Sequence, residues 1–173
     1  MFIAKATVEI NRPVADAFDY VVDLRNQTEW QRGLMEVLQK ENDPQGEQTF
    51  IEARKVMGRR LEHVLKRKAV EKNARLVYNG DGPGHDFERE LLFEDLGGGR
   101  SRVSLELRFT GHGALGAAEG LMQPMALTEI TADLHHLRDI LEAPASLYDA
   151  ARELPEHDAP WHHTLEEKAE EKS

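Results

Sequence analysis

Between residues 121 and 142 the large apolar side chains Leu127, Ile130, Leu134, Leu137 and Leu141 are spaced 3-4-3-4. On an α-helix that spacing draws one continuous stripe. Glu129, Asp133, Arg138 and Asp139 fall between them and are expected on a solvated face. Almost everything upstream alternates with period two instead. A single amphipathic helix that follows a run of strands has one simple way to bury its stripe, which is to lie across their sheet.

The strands can be followed in order. Ala4, Ala6, Val8 and Ile10 alternate with Lys5, Thr7 and Glu9, a half-buried strand. Asn11 is the expected cap of a helix that has Pro13 near its first turn and Val14, Ala17, Phe18, Val21 and Val22 on its inner side. A second helical turn spans residues 24–30. Trp30 reads either as a plug for the core or as a ligand contact. Strands follow at 34–40 and 48–57, separated by the turn residues Asn42, Asp43, Pro44 and Gly46. Leu61, His63, Leu65 and Ala69 alternate with Glu62, Lys66 and Lys68, so the basic run 66–68 reads as a solvated edge. A short strand at 75–79 ends in glycines. Phe87, Leu91 and Phe93 then oppose Glu88, Glu90 and Glu94, and Val103, Leu105, Leu107 and Phe109 oppose Ser104, Glu106, Arg108 and Thr110. Gly97, Gly98 and Gly99 join these two strands as a hairpin. With no Lys-Ser/Thr and no helix behind them, they are not a phosphate loop. The helix starts either near Ala114, with Pro124 inside it, or near Met122, with Pro124 in its first turn.

Composition excludes several function classes. A chain of 173 residues can bury one real core, and its formal charge of -10 leaves no basic face for nucleic acid. Without cysteine there is no disulfide framework and no thiolate chemistry. No stretch approaches a membrane span, and residues 1–10 alternate rather than forming the apolar core of a signal peptide, so a cytoplasmic location is expected. His135 and His136 are adjacent and point about 100° apart on a helix, and His162-His163 have only His157 nearby, so no metal is expected. Nucleotide fingerprints are absent and no cofactor is expected. Residues 143–173 form a separate acidic, proline-containing tail, partly helical or disordered.

The order strand, two short helices, six further strands and one long helix resembles the helix-grip fold of START domains and birch-pollen-allergen-like (SRPBCC) proteins. Three local features are similar to the polyketide cyclase/dehydrase branch: Val8-Glu9-Ile10-Asn11-Arg12-Pro13 followed by Ala17-Phe18; Asp23 followed by Trp30; and the closing helix over 134–142. The resemblance covers residues 1–142. It implies an α+β fold in which a curved antiparallel sheet of six to seven strands wraps a long C-terminal helix, with a hollow between them. Suitable lining is Trp30, Met57, Phe87, Leu91, Phe93, Leu105, Leu107 and Phe109, with Met122 and Met125 from the helix. The alternative is that these side chains fill a solid core.

Three polar residues carry the candidate chemistry. Arg89 points with Phe87, Leu91 and Phe93, and needs a carboxylate or an acidic ligand group if buried; at the rim it pairs with Glu52 or Glu129. His63, beside Leu61 and Leu65, is either a general acid/base or a hydrogen-bonded core histidine. Tyr78 either orients a polar ligand atom or ends its strand in water. The expected function is binding of a small hydrophobic or aromatic molecule, polyketide-like or lipid-like. The alternatives are an aromatase/cyclase or dehydratase using His63, Tyr78 and Arg89, and a protein-interaction module without a ligand. A homodimer, through an exposed sheet edge or through the tail, is compatible with the sequence.

Overall fold

The structure, a computed structural model, describes residues 1–40, 48–56 and 58–144. The chain divides into two units at Glu142/Ala143. The fold is that of the first unit; Met57 and the expected tail beyond Pro144 lie outside the described residues.

Seven strands form one antiparallel sheet: β1 Phe2–Ile10, β2 Leu34–Gln39, β3 Thr49–Val56, β4 Arg59–Glu71, β5 Arg75–Gly82, β6 His85–Gly97 and β7 Arg100–Gly111. Their spatial order is β1-β7-β6-β5-β4-β3-β2. Every step from β2 to β7 is therefore a hairpin to a neighbour. The step from β1 to β2 crosses from one edge of the sheet to the other. That span is carried by α1 (Val14–Val22), a 3₁₀ turn (Leu24–Asn26) and α2 (Gln27–Trp30). The long helix α3 (Ala114–Glu142) lies against β1 and β7 and touches α2.

Register sorts the inner face into rows that run across the strands. One row is Glu52, His63, Gly82, His85; the next is Phe50, Leu65, Gly80, Phe87, Phe109, Phe2; a third is Arg67, Tyr78, Arg89, Leu107, Ala4. Rows are about 6.8 Å apart and neighbours within a row about 4.8 Å. The outer face of the same strands carries a lattice of ion pairs, among them Arg75–Glu90 at 2.6 Å and Arg102 with Glu9 and Glu94 at 2.8 Å. Charges thus cover one face of each strand while apolar residues cover the other, and a one-residue slip in register would invert both.

Two glycines of β5 let rings lie flat on the sheet. A Cβ at Gly82 would stand 2.5 Å from both His63 and His85, and one at Gly80 would fall inside the surface of the Phe87 ring. Gly82→Ala is accordingly expected to destabilise the protein by about 1–3 kcal/mol, read from its urea midpoint. An unchanged midpoint would show that the two imidazoles can move aside.

Several expectations need correction. The helix α1 starts at Val14 with Pro13 as N-cap and no side-chain cap; the Asn11 amide instead donates to Glu142 at 2.7 Å. The stripe on α3 is buried from Ile130 through Leu141, whereas Leu127, one turn earlier, remains exposed. Asp133, expected in water, is 4% exposed and accepts a hydrogen bond from the Arg32 amide at 3.0 Å. Its place beside the stripe turns it toward the chain leaving α2. Pro124 sits inside the helix. It removes the N–H that would reach Gly120, and exposure of Gly120 leaves that carbonyl to water. The basic run 66–68 is not at an edge, because β4 is paired on both sides.

Candidate functional site

The inner face is more polar than its apolar pattern suggested. Glu52 is completely buried at the centre of an ion cluster. Arg89 reaches across from β6 to give it two hydrogen bonds, 3.2 and 3.3 Å long. Arg54 donates to Glu52 through Nε, to the Gln31 carboxamide through Nη2, and to Glu129 at 3.3 Å through Nη1. One arginine thereby ties β3 to the end of α2 and to α3. Although burial pushes the Glu52 carboxyl up, the Arg89 and Arg54 guanidiniums hold it down, to about 2. Burial of Asp133 pushes its carboxyl the other way, upward.

His63 lies opposite Glu52 on β4 and is buried. Its ring meets His85 edge-on at 5.0 Å and Phe87 at 5.4 Å, and His85 stacks on Phe109 at 4.9 Å. Burial is the largest influence on it and lowers its pKa to about 4, against the opposing pull of Glu52. The imidazole is neutral at pH 7, and its Nδ1 has no hydrogen-bond partner within the protein.

Tyr78 is 2% exposed, so it does not end its strand in water, and its hydroxyl is also without a protein partner. Its cross-strand neighbours are Arg89 on one side and Arg67 on the other. Arg67 was not singled out from the sequence, yet the alternation 61, 63, 65, 67 places it inward. Its guanidinium lies over the Phe50 ring at 5.2 Å and the Tyr78 ring at 5.5 Å. It donates to Gln48 Oε1 at 2.8 Å and to the Val22 carbonyl at 3.2 Å, while its Nε is buried without a partner. A recess of about 300 Å³ opens here between the 3₁₀ turn and the sheet, walled by Val22, Leu24, Phe50, Arg67, Gln48 and Asp23 among others. That volume is at the lower end of the range for small-molecule sites.

The three residues expected to carry chemistry are thus divided. His63 and the head of Arg89 meet around Glu52, and the Tyr78 ring is shared with Arg67. Of the expected lining, Phe87, Leu91, Phe93, Leu105 and Phe109 are buried on the inner side, with Leu107 and Met122 partly so. Trp30 is buried, its Nε1 without a protein partner. Met125 is not on the buried side of α3: it is 59% exposed, because it lies about half a turn around the helix from Leu134. Among the described residues no cluster of three metal-binding side chains occurs, and no helix is long and apolar enough to cross a membrane.

Residues 1–142 match the family model described as polyketide cyclase/dehydrase and lipid transport. No curated protein matches the chain by sequence. Among solved structures, a protein from Thermus thermophilus is 16% identical with a TM-score of 0.69, over 82% of this chain and 98% of that one. A START superfamily protein from Mycobacterium smegmatis is 14% identical with a TM-score of 0.64, over 84% and 98%. The Zhui aromatase/cyclase from a Streptomyces species is 16% identical with a TM-score of 0.66, over 91% and 98%. At these identities the likeness is one of fold.

Proposed function

The chain belongs to the polyketide cyclase/dehydrase and lipid-transport family, and from that membership we propose that it binds one small hydrophobic or aromatic molecule, polyketide-like or lipid-like, between the inner face of the sheet and α3. The observation that carries this reading is the Tyr78 hydroxyl. Among the described residues it is buried without a hydrogen-bond partner, directly across the strand pair from Arg67, which is one of the residues that wall the recess. A buried hydroxyl left unpaired costs about 1–3 kcal/mol, which a ligand oxygen held there would return. His63 Nδ1 and Trp30 Nε1 offer an acceptor or donor and a donor on the same terms. Aromatic walls around these few polar atoms suit a flat or chain-like ligand oriented by one or two hydrogen bonds.

Native mass spectrometry of the purified full chain, followed by denaturing extraction, tests the proposal. The expected result is a stoichiometric apolar adduct, or a rise in melting temperature with at least one member of a panel of lipids and aromatic polyketides. A chain that carries nothing and gains no stability from the whole panel would overturn it in favour of a solid core.

A second reading, catalysis of cyclisation or dehydration, is supported by the neutral His63 ring beside the Arg89 guanidinium. A neutral imidazole can accept a proton, and Arg89 can stabilise an enolate oxygen if it lets go of Glu52. On this reading His63→Gln is expected to lower turnover of a bound polyketide-like substrate, measured at saturation, by roughly 10²-fold or more. Equal turnover in the variant would remove His63 from the chemistry.

A further inference from the structure

Three arginines stand on the inner face of β3, β4 and β6, and their charges are not balanced alike. Arg54 and Arg89 share Glu52, and Arg54 also reaches Glu129. Arg67 has only neutral acceptors, Gln48 Oε1 and the Val22 carbonyl, and no carboxylate among the described residues pairs with it. Two of its five N–H groups are used, and Nε is buried without a partner. The rings of Phe50 and Tyr78 offset part of the cost of holding this cation away from water, but rings supply no counter-charge.

Among the described residues, the acid that lines the recess is already taken. Asp23 accepts from Arg25 Nε at 3.0 Å and from Arg25 Nη2 at 2.6 Å, and from the Arg25 amide at 3.0 Å. Three of the eight residues that wall the recess are apolar, Val22, Leu24 and Phe50; the others besides Arg67 itself are Asp23, Arg25, Gln39 and Gln48. A cation with spare donors, set next to an apolar wall, fits a molecule of two parts. We infer that the recess between the 3₁₀ turn and the sheet receives the polar end of the ligand, that the ligand is an amphiphilic acid, an apolar body bearing one carboxylate, and that Arg67 takes the carboxylate while Val22, Leu24 and Phe50 meet the adjoining part of the body. The inference rests on the ligand-binding reading above and narrows it to a chemical class. A planar guanidinium matches the two oxygens of a carboxylate, and the charge-assisted pair would neutralise an arginine that no carboxylate among the described residues balances. Since the chain carries a formal charge of -10, it does not attract anions at a distance. Arg67 acts at contact, and the preference for acid should survive moderate salt.

Matched ligands test this on the full-length chain. Decanoate and methyl decanoate, and 2-naphthoate and methyl 2-naphthoate, differ within each pair only in the charged group. Titration calorimetry is expected to show each acid bound roughly 10- to 100-fold more tightly than its ester. Arg67→Gln should erase that preference, so that acid and ester bind the variant alike, while Arg67→Lys, which keeps the charge without the fork, should keep part of it. Circular dichroism and the melting temperature of each variant separate a lost contact from a lost fold. Equal binding of acid and ester by the wild-type chain, or an acid preference that persists in a folded Arg67→Gln, would overturn the inference and leave the ligand site standing. Binding of no member of either pair, together with an empty chain by native mass spectrometry, would overturn both.

Discussion

Replacing Glu52 with alanine is expected to destabilise the fold by about 3–5 kcal/mol, the largest effect expected of any charge in the sheet. The residue is fully buried and, among the described residues, is the carboxylate that bonds Arg89. Without it a buried guanidinium would face Phe87, Leu91 and Leu107 with no carboxylate among the described residues bonded to it, and its always-charged chemistry gives it no way to neutralise itself. Arg54 would suffer less, because Gln31 and Glu129 still receive two of its donors. The converse variant should behave differently. Arg89→Met leaves Glu52 paired with Arg54 and fills the space with an apolar chain of similar length, so a loss of less than about 2 kcal/mol is expected. Urea unfolding of both variants measures the asymmetry. Equal losses would mean that Arg89 finds a second partner, with Asp133 the first to examine, since it already acts on Arg89 through its charge.

What the sequence shows of this molecule is the part written in short periods. Val103, Leu105 and Phe109 declare β7 by alternation alone, and Ile130, Leu134, Leu137 and Leu141 declare the buried side of α3. Both follow from geometry within one element, so no knowledge of neighbours is needed. The ion cluster follows from neighbours only. Glu52 and Arg89 are 37 residues apart, and the Arg32 amide and Asp133 are 101 apart. Nothing local distinguishes a buried Asp133 from the exposed Asp139 six residues on, because the difference is whether a backbone donor from another segment arrives. Arg67 is an intermediate case. Its parity with His63 and Leu65 was legible, but a strand carrying Lys66, Arg67 and Lys68 in succession reads as wet on composition. A register shift between Arg67 and Ala69 hides the alternation just beyond it.

Acidification is expected to remove about 3 kcal/mol of stability between pH 6.5 and pH 4, through His63 alone. In the unfolded chain its imidazole binds a proton near pH 6.5, and in the folded chain only near 4, because protonation would place a charge among Phe87, His85 and the sheet. Across that window the unfolded state holds a proton that the folded state refuses, so stability rises with pH and is lost as pH falls to the folded value. A displacement from 6.5 to about 4 corresponds to roughly 3 kcal/mol. Glu52 adds a second loss of the same sign at lower pH, from 4.5 down toward 2, as its partners lose their counter-charge. Asp133 works the other way, since its raised value favours the folded state when protonated. His63→Phe isolates the first contribution: a phenyl ring fits the aromatic wall and does not titrate. Urea unfolding at pH 7 and pH 4.5 is expected to show the wild-type chain losing most of those 3 kcal/mol and the variant losing little. If both lose the same amount, the acid sensitivity belongs to other groups, and the neutral His63 on which the catalytic reading depends loses its support.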